Sequence, residues 1–383
     1  MSKIKIIIAF YIFIIMLTNP QLIFDATIFA IDTWWNNVLP ALLPFFIVSE
    51  FMIQVGIMEC LAVWLEPIMR PIFKLSGASA LAVVMGFVSG TPTAANITAQ
   101  IYNKNLCTKD EAERLLAFTN NSGPLYILAA VATGIFQNPA VGIILFLSHY
   151  PVNFVIGIIL GFLTKEKQII NKPNKNFIIL GFNLLNCYKT PPFGRLLNGV
   201  VKKSLINIGL VGGFMVVFGI LTAAFDATGI TDIICKLLTP LCLLVGIDPS
   251  CALPMAAGFW EMTIGIAILP QSNADMLSML MAAAMILAWN GISIQSQIAA
   301  MIADTDLSLK KYRICRVIHS LIAPFIVMLL YKKTVSVFAH SYPDTAIFLS
   351  DITPISLLIF SIICLFIPGL VGKLAKYKKT NNY

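Results

Sequence analysis

Residues 112–136 read AERLLAFTNNSGPLYILAAVATGIF. From Leu115 to Phe136 there is no charged residue. At about 1.5 Å rise per residue, a helix over that stretch crosses a hydrocarbon layer about 30 Å thick. Its middle, however, is Asn120-Asn121-Ser122-Gly123-Pro124. Inside a bilayer every backbone N–H and C=O needs a partner, so Gly and Pro beside two amides are costly unless they line a cavity. The plainer reading is a proline kink whose polar residues are satisfied by a neighbouring helix. Two Asn beside Gly-Pro exceed what a kink requires, so the stretch predicts a membrane helix broken at mid-depth, with Ser122 or Gly123 capping a new half-helix that starts at Pro124.

The rest of the chain has the composition that such a helix needs. Of 383 residues 58% are hydrophobic and 11% charged, with mean hydropathy +0.87, against about 25% charged in soluble domains. Asn138–Leu163 and Ser204–Phe225 are further runs without Asp, Glu, Lys or Arg. None alternates polar and apolar residues as an outer-membrane barrel strand does. The net charge of +8 does not imply nucleic acid, because the Lys and Arg are spread between the apolar runs rather than gathered in one patch. The eight Cys form no CxxC pair, and His149, His319 and His340 are far apart in sequence; no metal site and no cofactor is expected. Met1–Leu17 resembles a signal peptide, but no small-residue cleavage site follows and the apolar pattern resumes at Leu22. An uncleaved first helix is expected, with cleavage as the alternative.

Eight spans are read, over 4–24, 34–56, 112–136, 138–163, 204–225, 276–303, 314–331 and 353–372. Amphipathic segments cover 57–77, with Glu59, Glu66, Arg70 and Lys74, and 229–247; both are expected at the interface. Interrupted stretches at 79–103 and 249–272 are read as re-entrant hairpins. With the N-terminus inside, all of the 26 Lys and Arg except Lys236, Lys332 and Lys333 then fall on the inner side, as the positive-inside rule requires. Hairpins that crossed fully would flip the later loops and lose this segregation. Both termini are thus expected in the cytoplasm. The expected organisation is an N-terminal helix (1–33), a first repeat (34–163), a basic linker (164–203), an inverted second repeat (204–331) and a C-terminal helix with a basic tail (332–383).

The repeat is visible in the residues. Gly56-Ile57-Met58-Glu59 with Pro67 matches Gly229-Ile230-Thr231-Asp232 with Pro240. Gly86-Phe87-Val88-Ser89 matches Gly258-Phe259-Trp260-Glu261, and Asn120 matches Asn290. The two copies run in opposite directions, the signature of alternating-access transporters. The fold class expected is therefore an all-α polytopic membrane protein of inverted repeats with two re-entrant hairpins; chance likeness of apolar segments is the alternative.

Four polar breaks give the candidate site. Ser89-Gly90-Thr91-Pro92-Thr93, with Asn96 a turn later, suits a hairpin tip in which Thr91 is the N-cap and Pro92 the first helical residue. Asn120, Asn121, Ser122 and Gly123 form the second break. The two helix starts converge with their positive dipole ends, which suits an anion. Glu261, with Thr263, lies between apolar residues in the third break; an intramembrane carboxylate is a candidate for a coupling proton or cation such as Na+, or for holding substrate, and a helix-capping Glu is the plainer reading. Asn290, Ser293 and Gln297 in the fourth offer neutral donors and acceptors, or simple interhelical glue. No HExxH, GxSxG or Walker loop occurs, so an enzyme is not expected.

Gly86–Gly123, with Ser89-Gly90-Thr91-Pro92, Glu111-Ala112, Arg114-Leu115-Leu116 and Phe118–Pro124, resembles the gate (nucleoside-recognition) domain. With Phe259–Thr263, Trp289–Ser293, Gln297 and Arg316…His319, nearly the whole chain is similar to the YlbJ/SpoVV family of sporulation integral membrane proteins. The resemblance implies a fold similar to concentrative nucleoside transporters, often trimeric, so a homo-oligomer. It implies transport of dipicolinic acid (pyridine-2,6-dicarboxylate) from the mother cell across the outer forespore membrane, within a bacterial inner-membrane system. On this expectation the helix starts at Thr91–Thr93 and Ser122–Pro124 hold carboxylates, and Asn120, Asn121, Asn290, Ser293 and Gln297 orient the ring. The alternatives are a nucleoside or other small-solute symporter, which differs in substrate charge, and a non-transporting envelope assembly protein, which has no use for buried polar breaks.

Overall fold

The computed structural model describes residues 2–164 and 191–338. Most of the expected linker, the expected eighth span, the basic tail and His340 lie outside the described residues, as does the side chain of Glu59. All regular structure among the described residues is helical.

Helix α1 (Ser2–Thr18) stops before Pro20, and the chain bends by 108° there. Proline lacks an N–H and fits the first turn of a helix, so Pro20 opens a new one. Helix α2 (Pro20–Thr33) passes through a π-helical turn, Trp34–Val38, into α3 (Leu39–Gln54). The gap expected between the first two spans is thus helical. Asp25 and Asp32, in that stretch, are exposed and do not interrupt the helix.

Helix α4 (Ile57–Phe73) is bounded by left-handed residues, Gly56 at φ 80° and Lys74 at φ 49°. Its counterpart α10 is bounded likewise, as given below. The first hairpin consists of α5 (Ser79–Val88) and α6 (Thr93–Asn103). Its root is closed by Ser76, whose N–H donates to Glu111 Oε1 (3.1 Å) and whose hydroxyl donates to Leu106 O (3.2 Å). Helix α7 (Lys109–Thr119) starts on a capping box between Thr108 and Glu111. The span resumes as a π-helix, Tyr126–Ile135, and α8 (Pro139–Leu163) returns, so that Thr164 Oγ1 meets Asp110 Oδ2 at 3.0 Å.

The second half repeats this plan. Helix α9 (Phe193–Ala227) leads to α10 (Ile230–Val245), which lies between left-handed Gly229 (φ 74°) and Gly246 (φ 76°). Helices α11 (Ala252–Trp260) and α12 (Met262–Ile268) make the second hairpin. Its root is closed by Asp248, whose N–H donates to Ser278 Oγ (3.1 Å). Helices α13 (Met276–Trp289) and α14 (Gly291–Met301) form one broken span, followed by α15 (Lys310–Phe338).

Ion pairs fix which ends lie together. Asp306, in the α14–α15 loop, accepts from the Tyr102 hydroxyl (2.7 Å) and Lys109 Nζ (2.8 Å), and Lys311 pairs with Asp110 at 2.6 Å. The hydrogen bond from Lys109, then that from Tyr102, holds the Asp306 carboxyl below the usual carboxylate range. The root of the first hairpin is at this end, next to Glu111. The second is rooted at Ser278, near the start of α13, at the opposite end of the α13–α14 span. The two hairpins therefore enter from opposite ends, and the halves are inverted.

Packing repeats too. A Cβ on Gly86 of α5 would lie 2.3 Å from Thr119 O, so α5 sits backbone to backbone on the break after α7. A Cβ on the matching Gly258 of α11 would lie 2.7 Å from Ile286 of α13.

Two placements correct the charge reading. Helix α9 begins at Phe193, so Arg195, Lys202 and Lys203 are helical rather than part of a linker, and Lys203 pairs with Glu50 at 2.9 Å. Arg316 is fully buried inside α15 and is not a loop charge; its distance from the α14–α15 loop along the chain is short, but its helix face points inward. Four described helices are long and apolar enough to cross a membrane, Pro139–Leu163, Phe193–Ala227, Met276–Met301 and Lys310–Tyr331, with a fifth if the bent pair at Pro20 is one span.

Candidate functional site

A helix that ends in apolar surroundings leaves its last carbonyls without partners. At the end of α7 side chains supply them. Asn120 Nδ2 donates to Leu116 O (3.0 Å), Asn121 Nδ2 to Phe118 O (2.9 Å) and Arg316 Nη2 to Ala117 O (3.0 Å). This is why the sequence can stop a helix here, and it gives the two Asn a structural duty. Both are fully buried, and the Oδ1 of each has no partner among the described residues, leaving two acceptors aimed into the interior.

Ser122 does not cap the next half-helix, as expected from sequence. Its hydroxyl lies 3.2 Å from Asn290 Oδ1 and 3.3 Å from Met262 Sδ, on the other half of the molecule. The helix after Pro124 starts without a side-chain cap.

The tip of the first hairpin docks on this break. Gly90 has φ 73°, and the Thr91 N–H donates to Asn121 O (3.0 Å). That bond draws Thr91 into the turn. The N-cap of α6 is therefore Pro92, with Thr93 the first helical residue, one position later than expected from sequence, and α6 receives no side-chain cap. Ser89 is buried at the tip. Asn96 is exposed and accepts from Gln100 Nε2 (3.1 Å), apart from the cluster.

The second half presents the mirror arrangement. Asn290, left-handed at φ 68°, ends α13 and opens α14. Its Nδ2 donates to Asn120 O (2.9 Å) and to the Tyr312 hydroxyl (3.2 Å). A Cβ on Gly291 would lie 2.9 Å from Met262 N, so the second hairpin tip also rests on the break of the following span. Glu261 is buried, 2% exposed, in extended backbone between α11 and α12. Its Oε2 accepts the Ile264 N–H at 2.7 Å. Glu261 is thus a helix cap, the plainer reading of the sequence, and its carboxylate lies in the interior. Thr263, Ser293 and Gln297 are buried, and Ser293 Oγ has no partner among the described residues. Asn290, Ser293 and Gln297 recur at the spacing of one helix face.

The structure therefore gathers Ser89, Gly90, Asn120, Asn121, Ser122, Gly123 and Asn290 in one buried layer, with half-buried Thr91 beside it and Glu261 and Thr263 flanking Met262 at its edge. Against this geometry stand the likenesses to known proteins. A family model described as nucleoside recognition (Gate) matches residues 35–166. The sporulation integral membrane protein YlbJ of Bacillus subtilis (strain 168) is 32% identical over 353 residues, 89% of this chain and 86% of that protein. The chain belongs to the YlbJ family. Structures of CNTnw, one inward-facing and substrate-bound, one of a substituted protein facing outward, are each 12% identical. Their TM-scores are 0.46, covering 85% of this chain and 83% of that one, and 0.44, covering 86% and 85%.

This member of the YlbJ family is an integral membrane protein, by its apolar helices and its kinship. Several residues of its polar layer escaped the reading of the sequence. Tyr150 donates its hydroxyl to Ser122 O (2.9 Å), Tyr312 accepts from Asn290, and Met262 approaches Ser122. Tyr150 belongs to an apolar span, where nothing in the local run sets it apart. His149 and His319, set aside for their distance in sequence, have ring centroids 4.6 Å apart. Among the described residues no group of three or more His, Cys, Asp and Glu is arranged to hold a metal.

Proposed function

We propose that the chain is a carrier that moves dipicolinate from the mother cell across the outer forespore membrane during sporulation. The observation that carries this reading is the seam where the two inverted halves meet, Ser122 against Asn290 and Asn290 against Asn120, at the junction of two broken helices and two hairpin tips. A protein that only assembles an envelope gains nothing from polar breaks in its interior, each of which costs desolvation. A carrier needs them, because irregular backbone in a membrane is tolerated where it faces a solute path. The uncapped start of α6 at Thr93 and the uncapped start after Pro124 each offer a dipole end worth about half a positive charge. These suit the two carboxylates. The corresponding start of α12 is closed by Glu261.

A nucleoside is the second reading, favoured by the Oδ1 acceptors of Asn120 and Asn121, which suit hydroxyl or amide donors. The test is flux of labelled dipicolinate through the purified protein in liposomes, with unlabelled dipicolinate and a nucleoside as competitors. Saturable flux blocked by dipicolinate alone is expected. Nucleoside flux without dipicolinate flux would replace the cargo, and no flux of either would return the assembly reading.

A further inference from the structure

Arg316 is 0% exposed in the second turn of α15, yet no carboxylate pairs with it among the described residues. Its Nη2 is used by Ala117 O and Asn153 Oδ1. The N–H groups on Nε and Nη1 have no hydrogen-bond partner among the described residues. The Tyr312 ring lies 5.5 Å from the guanidinium carbon, which softens the charge but does not neutralise it. Beside Arg316, one turn along α15, is His319, 0% exposed, and against it His149 of α8, 1% exposed. None of their four ring nitrogens meets hydrogen-bond geometry with a described residue; the Ser148 backbone lies beside the His319 ring.

A lone buried cation is among the costliest groups a membrane interior can hold, and unpaired buried donors call for a partner. Holding the Ala117 carbonyl explains one nitrogen of the guanidinium and leaves the other two without a role. Donors of this kind, on a planar cation flanked by two imidazoles, match an anionic oxygen pair. Through Ala117, Arg316 also touches the helix that ends in the polar layer.

We propose that Arg316, with His149 and His319, forms a buried binding site for a carboxylate of the transported solute. This rests on the reading that the cargo is an organic anion, and it adds a fixed charge to the helix starts. Arg316, in place of the helix start after Pro124, takes one carboxylate of a dicarboxylate, and the uncapped helix start of α6 serves the other.

The test compares affinities of the full-length protein for pyridine-2,6-dicarboxylate and for pyridine-2-carboxylate, read by ligand-induced shifts of the melting temperature in detergent. The wild type should prefer the dicarboxylate. R316Q should lose at least tenfold of that preference, about 1.4 kcal/mol, and R316K, which keeps the charge, should lose less. R316Q that melts normally and keeps the full preference overturns the site while leaving the proposed cargo intact. Wild type that binds neither carboxylate overturns both. If R316Q does not fold, R316K together with the double variant H149Q/H319Q decides the matter: both should show a several-fold weaker preference, and an unchanged one in both overturns the site.

Discussion

The contact between the first hairpin tip and the break after α7 can be tested by a single methyl group. Gly90 has φ 73°, and a Cβ there would lie 2.6 Å from Gly123 N and 2.8 Å from Asn121 O. The left-handed conformation costs a residue with a Cβ about 1–2 kcal/mol, and overpacking costs about 1–3 kcal/mol. Both obstructing atoms are backbone and cannot rotate away, so the terms add to roughly 2–5 kcal/mol for G90A. At Gly123 the backbone is not left-handed and a Cβ would meet Ser89 O at 3.1 Å; G123A should cost roughly 1 kcal/mol. At Gly209 in α9 nothing lies within 4 Å, and alanine there should gain up to about 1 kcal/mol of helix propensity. Melting temperatures in detergent should therefore fall in the order G209A, wild type, G123A, G90A. Flux in liposomes should be lost first in G90A. A G90A protein that melts with the wild type and carries solute at the same rate would refute the docked-tip geometry.

Glu261→Gln keeps an oxygen that can accept the Ile264 N–H, so it should fold normally; if the carboxylate carries a proton or cation, flux is abolished, and full activity would leave Glu261 a cap alone. Glu261→Ala also loses the cap and should melt lower by about 1 kcal/mol of stability. Export of a dianion from a negative-inside compartment gains about 4.6 kcal/mol per 100 mV, more than a thousandfold in concentration ratio; efflux from proteoliposomes should respond to the sign of a potassium-diffusion potential, and efflux driven only by a pH gradient would sink uniport. Asp306 has a lowered carboxyl pKa, so its bonds to Lys109 and Tyr102 stabilise the fold at neutral pH and lose that effect as pH falls below the usual carboxylate range; D306N should lower the melting temperature slightly at pH 7 and leave it unchanged in strong acid. Cysteines introduced at 168–176 should be labelled from the cytoplasm only, and labelling from outside alone would overturn the orientation.

The breaks were legible because Gly, Pro and Asn in an apolar run have no cheap alternative to a local interruption. Asn120–Pro124 and Asn290 are such places, and the structure breaks its helices there. The repeat was legible through Gly56 and Gly229, whose left-handed backbone marks the same corner in both halves. What the sequence hid depends on distant partners. The start of α6 moved from Pro92 to Thr93 because Thr91 bonds to Asn121, a contact across the fold. The pairing of His149 with His319 spans two helices, so nothing in either local run announces it. Arg316 was counted with the loop charges because it follows Lys310, Lys311 and Arg313 closely; only the direction of its helix face shows that it points inward.

The shielding of the α7 carbonyls has a consequence for how selectivity is encoded. Asn120, Asn121 and Arg316 cover the negative end of one half-helix, while the positive end of α6 carries no such cover. The polar layer thus acquires an electrical bias from which backbone ends are muted and which are left bare. Neutral amides set much of that bias. Survey mutagenesis confined to Asp, Glu, Lys and Arg would therefore miss part of the code, and exchanging either Asn for an isosteric aliphatic residue should unmask carbonyls and push the preference of the layer towards cations.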